Sequence, residues 1–369
     1  MSTRIVLFGA TGYTGRLTAR AMVDRGLSPI LAGRNEATLN TLSQQLDGLE
    51  VAIADVQRPE SIATLLNAGD VLVSTVGPFC RVGQPALEAA LAKQAHYIDS
   101  TGEIPFAYKL IQESDQRAKQ ADISLITTCG YDFVPGHCAA AVALRNAGEE
   151  ASRVDIGYYD SADTPLKLSQ GTIASMAEVI LVPGYFWEGG ELVEHHAGLR
   201  SESFSMDGKE RPAMAISSTE HLFLPRHFPQ LKDVNVYLGW FGALSSLSPM
   251  LSRFMTPILG INPVVPFLRQ ALAKLTASQG KGPNTEELKQ LGSHIAAIAY
   301  DKQGNELSRV DLKGVHGYVF TANILTCFAQ LIADGTIKAR GAIDPITALG
   351  VDGLVDICKE AGLSLHTAR

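Results

Sequence analysis

Residues 5–15 read Ile5-Val6-Leu7-Phe8-Gly9-Ala10-Thr11-Gly12-Tyr13-Thr14-Gly15. The opening apolar run is short and continuous, which suits a strand covered on both faces. Glycines follow at a GxxGxxG spacing, and from residue 14 to 25 the pattern turns helical. A strand, a glycine loop and a helix in that order make a phosphate cradle. Glycine lets the chain turn tightly, lets backbone approach a pyrophosphate, and lets the helix pack close to the strand. The first N–H groups of the helix and its dipole then favour an anion. Dinucleotide contacts are therefore expected at Gly9, Thr11, Gly12, Tyr13, Thr14 and Gly15.

The same rhythm continues outward. Apolar runs at 29–31, 51–54, 71–75, 97–98 and 123–126 alternate with helical stretches at 36–45, 60–66, 84–93 and 106–120. Six strands linked by helices predict a parallel, doubly wound sheet. Past residue 130 the rhythm changes. Residues 153–159 alternate as a strand, 172–181 read as a helix, and 188–228 are rich in Gly, Ser, Pro and His. Another strand is expected at 234–240. Residues 294–300 and 306–313 read as a hairpin around Lys302-Gln303-Gly304-Asn305, and apolar helices are expected at 243–255, 263–275, 318–334 and 350–361. The predicted class is α/β, an N-terminal Rossmann doubly wound parallel sheet with a second α+β domain containing an antiparallel sheet.

Composition narrows the function. The chain has 369 residues, 46% hydrophobic and 19% charged, which excludes a disordered protein. Its net charge of -7, without a dense basic run, argues against a nucleic-acid partner. Five scattered cysteines with no CxxC point to a reducing, cytoplasmic setting rather than disulfides or structural zinc. No signal peptide or transmembrane span is read. His195 and His196 are adjacent and point apart, and neither His221 nor His227 has a companion at helical spacing, so no metal site is expected. The apolar stretch at 234–275, with Trp240, Phe241 and Phe254, suits core or a homodimer interface and leaves a peripheral membrane contact open.

The second strand ends Leu31-Ala32-Gly33-Arg34-Asn35. An enzyme for NAD usually places a carboxylate at that tip for the ribose hydroxyl, whereas Arg suits a 2′-phosphate. Arg34 therefore predicts NADP(H) as cofactor. Asp55 is expected at the adenine edge, and the small residues of Val76-Gly77-Pro78 beneath the ribose and nicotinamide. The expected domains are 1–130, binding NADP; 131–316, for substrate and dimerisation; and 317–369, helices packing back on the first. A small-molecule substrate would lie in a cleft between the two domains. Hydride transfer usually needs a proton carrier beside the reacting atom, and Tyr131, Asp132 and His137 are the catalytic candidates. Two alternatives stand beside this reading. One is a semialdehyde or acyl-phosphate dehydrogenase using Cys129 as a thiolate nucleophile, with His137 activating it. The other is a non-catalytic NADP(H)-binding redox sensor.

Several motifs occur in a telling order: Gly9 to Gly15, Ala32-Gly33-Arg34, Val76-Gly77-Pro78-Phe79 with Gly83 and Pro85, and Tyr97-Ile98-Asp99-Ser100-Thr101-Gly102-Glu103. Together they resemble the saccharopine dehydrogenase-like oxidoreductases, a group that includes the trans-acting enoyl reductases of bacterial lipid synthesis. The resemblance is strongest over 4–136 and looser over 317–362. It implies a Rossmann domain, a substrate domain, and a C-terminal segment returning to the first domain. It also implies hydride transfer to or from a C=N, C=O or C=C bond of an amino-acid-like or lipid-like substrate. In that family an Asp- and Pro-containing loop after the sixth strand approaches nicotinamide and substrate. Asp132 and Pro135 match it, while Phe133 and Gly136 depart from the more usual Ser of the enoyl-reductase-like members. The middle of the chain offers no carboxylate clamp, which leans away from saccharopine itself.

Overall fold

The computed structural model describes residues 3–161, 167–259, 265, 280 and 282–367. The chain divides into two units, Met1–Asp132 with Gly317–Ala361, and Phe133–His316 with Gly362–Arg369.

The first unit holds a seven-stranded sheet in the order β15-β6-β5-β4-β1-β2-β3. Its strands are β1 (Ile5–Phe8), β2 (Ile30–Gly33), β3 (Val51–Ile53), β4 (Val71–Ser74), β5 (His96–Asp99), β6 (Ser124–Ile126) and β15 (Gly341–Ala342). Every pairing is parallel. The chain runs outward from β1 to β3, then crosses to β4 and runs outward the other way. That reversal puts the switch point between β1 and β4, where open parallel sheets bind ligands at the carboxyl ends of their strands. β1, β2, β4, β5 and β6 are buried throughout, as their unbroken apolar runs require. The long helix Gly317–Ala333 lies against the first helix, Tyr13–Asp24, and against β4 and β5. Tyr13 and Tyr318 meet edge to face with centroids 4.8 Å apart. The last strand, β15, extends the sheet by only two residues beside β6.

The second unit is built on a mixed sheet in the order β10-β11-β12-β7-β13-β14-β16, with the β8–β9 hairpin joined at β12. Its strands are β7 (Arg153–Asp160), β8 (Gly184–Glu188), β9 (Glu191–His195), β10 (Ser201–Met206), β11 (Lys209–Ala215), β12 (Asp233–Leu238), β13 (Gly292–Tyr300), β14 (Glu306–Val315) and β16 (Leu363–Thr367). Among the described residues only the β12–β7 pair is parallel, and the others are antiparallel. The alanine-rich helix Val134–Ala147 packs on β13, β14 and β7, and its small side chains allow close approach. Tyr159, Phe204, Met206, Tyr237 and Ile298 form part of another core cluster in this unit.

Within 243–275, the sequence reading divides. A 3-10 turn, Gly242–Leu247, leads into the helix Ser248–Leu259. The helix expected at 263–275 lies outside the described residues apart from residue 265. Leu244, Leu247, Met250, Leu251 and Phe254 are all exposed. Among the described residues, no helix is long and apolar enough to cross a membrane.

Candidate functional site

The glycine loop is shaped by contacts that only glycine permits. Gly9 has φ +90°, and a Cβ there would lie 2.7 Å from Thr75 Oγ1. A Cβ on Gly15 would lie 2.1 Å from the Gly9 carbonyl oxygen, so loop and helix touch backbone to backbone. Thr75 donates to the carbonyls of Phe8 and Gly9 at 3.2 Å each. The Gly12 N–H closes the turn on Gly9 O at 2.9 Å. Tyr13, Thr14 and Gly15 then form the first turn of the helix, with no acidic side chain there to compete for an anion. A cradle that a single methyl group would fill fits a dinucleotide pyrophosphate. Thr11 lies in its bend, where its carbonyl accepts from Arg16 Nε at 2.9 Å.

Arg34 follows β2 directly and is exposed, and no partner of its guanidinium is found among the described residues. It is therefore available to a phosphate. Asp55 follows β3, and its Oδ1 accepts from the Gln57 N–H at 3.0 Å within its own turn. Val76, Gly77 and Pro78 continue from β4, with a cis bond between Gly77 and Pro78.

The most specific part of the motif set explains itself physically. Asp99, Thr101 and Glu103 are all fully buried, and each fastens a loop at the carboxyl edge of the sheet. Asp99 Oδ1 accepts from Thr101 N at 3.0 Å, Thr127 Oγ1 at 3.1 Å and Thr128 N at 3.1 Å. Thr101 Oγ1 accepts from Glu103 N at 3.0 Å. Glu103 could have capped its own helix, Ile104–Gln120, or faced a substrate. Instead its carboxylate accepts from Phe79 N at 2.8 Å and Cys80 N at 2.9 Å, at the start of the short helix Phe79–Val82. The loops after β4, β5 and β6 are thus tied together through alternate residues of one segment. The sequence reading did not assign these tethers, although two carboxylates four residues apart at a strand end, with Thr101 midway between them, were the available signal.

Tyr131 and Asp132 close the first unit, whereas His137 belongs to the second. Tyr131 is buried, its ring packs on Gly317, and its N–H donates to Thr321 Oγ1 at 3.0 Å. The Asp132 carboxylate lies against Gly102, where a Cβ would be 3.2 Å from Oδ2. Asp132 keeps a partly exposed edge, yet desolvation raises its carboxyl to about 6. That leaves it partly protonated near neutrality, as a proton donor needs.

His137 is buried in the helix Val134–Ala147, with Nε2 3.2 Å from Thr219 Oγ1 and its ring beside Phe223. Its neighbour Gly136 has a clear cause. Its N–H donates to the Tyr158 hydroxyl at 2.9 Å, and that hydroxyl donates to Glu220 Oε1 at 2.6 Å. A Cβ at 136 would sit 2.1 Å from both of those oxygens. Phe133 packs edge to face on the same Tyr158 ring.

Cys129 is fully buried, and burial, with the Asp99 carboxylate as a lesser cause, pushes its thiol well above the usual range. A nucleophilic thiolate needs the opposite. The thioester alternative therefore does not fit this site. Among the described residues, no group of three or more His, Cys, Asp or Glu is placed to hold a metal.

Comparison with known proteins agrees with the geometry. Residues 5–126 match the family model of the saccharopine dehydrogenase NADP binding domain. A putative trans-acting enoyl reductase of Mycobacterium tuberculosis is 26% identical, over 99% of this chain and 97% of its own. The trans-acting enoyl reductase of Mycobacterium leprae is 29% identical over the same shares. Among solved structures, saccharopine dehydrogenase (L-Glu forming) from Saccharomyces cerevisiae is similar with a TM-score of 0.61 at 14% identity, covering 100% of both chains. Homospermidine synthase from Legionella pneumophila, solved with NAD, gives 0.63 at 10% identity, covering 100% of this chain and 92% of that one. These two likenesses concern the fold. The family resemblance carried by the sequence motifs is borne out as a likeness: residues 5–126 match the saccharopine dehydrogenase NADP-binding domain, and the chain is similar along nearly its whole length to proteins named trans-acting enoyl reductases.

Proposed function

We propose that the protein is an NADP(H)-dependent reductase that delivers hydride to a polarised C=C bond of a lipid-like acyl substrate. The observation that carries the reading is the arrangement along one edge of the first sheet. The glycine cradle and Arg34, whose guanidinium has no partner among the described residues, stand at the ends of β1 and β2, and Asp132, a carboxyl raised to about 6, follows β6. The chain-long similarity to proteins named trans-acting enoyl reductases favours C=C over the C=N and C=O alternatives. When bound, NADPH supplies the hydride. The chain's own residues do the rest. Backbone amides of the glycine loop bind the diphosphate, Arg34 selects the 2′-phosphate, and Asp132 gives a proton to the carbon next to the thioester carbonyl. Tyr131 holds the Asp132 loop through its ring on Gly317. His137, buried against Thr219, acts in positioning the second unit's helix rather than in contact with substrate. The reading includes a cytoplasmic enzyme that assembles as a homodimer, for which the exposed apolar row from Leu244 to Phe254 offers contact surface.

The test is NADPH oxidation followed at 340 nm with a short 2-enoyl thioester, an aldehyde, and a 2-oxo acid with an amine. Turnover of the thioester in preference to the others is expected. Turnover of none, with NADPH still bound, would favour the redox-sensor alternative. In the Asp132→Asn variant, kcat should fall by ~10² to 10⁴ while the NADPH Kd stays put. The wild-type kcat should decline as pH rises through about 6, since the donor is then ionised, and the variant should lose that limb. An unchanged pH profile in the variant would remove Asp132 from the mechanism.

Arg34→Ala separates the cofactors. A charge-assisted pair to a phosphate contributes ~1.5–3 kcal/mol, so NADPH affinity should drop ~10- to 100-fold while NADH affinity barely moves. Equal losses for both, measured by calorimetry, would exclude a 2′-phosphate contact.

A further inference from the structure

Thr128 sits where its side chain is least at home. It is buried, β-branched, and held at φ +55°, the left-handed region that glycine and asparagine enter readily and threonine does not. Such a residue persists only where its surroundings over-determine it, and backbone strain of this kind gathers at functional sites. The restraint is visible. Thr128 N and Thr127 Oγ1 both donate to Asp99 Oδ1 at 3.1 Å, and Cys129 N donates to the Asp99 carbonyl at 2.7 Å. Immediately beyond, Gly130 N turns back to the Thr128 carbonyl at 3.0 Å. Gly130 then passes so close to the helix Gly317–Ala333 that a Cβ on it would meet Thr321 Cγ2 at 3.2 Å. Tyr131 N is fixed on Thr321 Oγ1, and Asp132 comes to rest against Gly102. Gly102 itself follows Thr101, whose N–H is the third donor to the same Asp99 oxygen.

We propose that Asp99 is a positioning residue: by clamping Thr128 in the left-handed conformation it sets the direction of Gly130–Asp132, and through Thr101 it fixes the Gly102 seat on which Asp132 rests. Asp99 is fully buried, so it acts through these hydrogen bonds. It brings both halves of the donor's surroundings to one place through a single carboxylate oxygen. The inference deepens the reading of Asp132 as proton donor and rests on it.

A second-site rescue tests it. Asp99→Ala removes the clamp, so Thr128 should relax to negative φ and carry the following residues with it. The melting temperature should fall by ~5 °C or more. kcat with crotonyl-coenzyme A and NADPH should fall ~10-fold or more, since small misplacement of a reacting group is costly. NADPH Kd by calorimetry should stay within ~3-fold, because the glycine cradle is held independently. Adding Thr128→Gly should return at least half of the lost melting temperature and of the lost kcat, because glycine keeps the left-handed geometry without a clamp. Asp99→Asn, which retains an acceptor oxygen for the three donors, should keep more of both than Asp99→Ala. It also serves should the alanine variant fail to fold.

Losses in the double variant that equal or exceed the sum of the single ones would overturn the clamp. A crystal structure of Asp99→Ala, or of Asp99→Leu, with residues 128–132 unmoved would overturn the positioning role. The melting and structural readouts stand even if crotonyl-coenzyme A is not reduced by the wild type. Failure of the substrate reading and failure of this inference are thereby told apart.

Discussion

Replacing Gly15 with alanine should cost the protein ~100-fold or more in affinity for NADPH. Intrinsic helix propensity argues the other way, since Ala in a helix is favoured over Gly by ~1 kcal/mol. Sterics decide. The added methyl would stand 2.1 Å from the Gly9 carbonyl oxygen and 2.9 Å from Ala10 Cα. Both obstacles are backbone, and Gly9 is itself fixed by its N–H on the Ala32 carbonyl and by Thr75 on its oxygen. Neither can yield as a flexible side chain would. The helix Tyr13–Asp24 must therefore lift from the loop by an ångström or so, on the order of the clash itself, and its first N–H groups lift with it. On the proposed reading those amides bind the diphosphate, and losing one or two charge-assisted hydrogen bonds of ~1.5–3 kcal/mol each accounts for the expected factor. Calorimetry with NADPH, alongside a thermal melt to confirm folding, checks it. A Kd within ~3-fold of wild type would mean that the pyrophosphate is not held at this turn.

The glycine loop was legible in the sequence because its chemistry is local. A strand, a tight turn and a helix N-terminus lie within fifteen residues, and each glycine has a nearby cause. The six strands up to residue 126 were legible for a related reason: a parallel sheet buried on both faces needs unbroken apolar runs. What escaped was non-local. β15 is two residues long and exists only because it lies beside β6. β16 pairs with β14, roughly fifty residues earlier in the chain, and its half-exposed residues carry no strong pattern. The helix Glu220–His227 contains Pro225 and was hidden in the stretch at 188–228, whose Gly, Ser, Pro and His carry no helical pattern.

The candidate site divides in the same way. The exposed position of Arg34 directly after β2 could be anticipated from where the second apolar run ends. The work of Glu103 could not, because its two partners, Phe79 and Cys80, lie more than twenty residues back. Nor could the burial of His137. A histidine two residues after a proline at a helix start looks like a proton carrier until Thr219 and Phe223 are seen to enclose it. Gly136 shows the converse. The glycine there, where the resemblance led one to expect Ser, follows from Tyr158 and Glu220, whose oxygens fill the space a side chain would need.

Stability of the second unit should fall as pH rises from about 4 to 8, and Asp160→Asn should abolish much of that fall. Asp160 ends β7, is almost fully buried, and its carboxyl is pushed up to about 7 by desolvation, with Arg211 opposing only in part. The sign follows directly. In the unfolded chain the group titrates near 3.8, so folding is penalised whenever the carboxylate must be ionised inside the protein. Its contribution is fully present below pH ~4, and is lost progressively as pH climbs through the folded value. A separation of about three pKa units corresponds to roughly 4 kcal/mol for this one group, an upper figure. Asp99 and Asp132, each raised to about 6, bias the first unit the same way. Asparagine keeps the shape of Asp160 and cannot ionise. Across the strand pair it faces Ser293, whose buried hydroxyl makes no hydrogen bond among the described residues and could receive the new amide N–H. Calorimetric melts of wild type and variant between pH 4 and 8.5 are the measurement. The variant should match wild type at the acidic end and exceed it by several degrees at pH 8, on the order of the 2–4 °C per kcal/mol typical of a domain this size. A difference that stays constant across the range would show that Asp160 is not the titrating group.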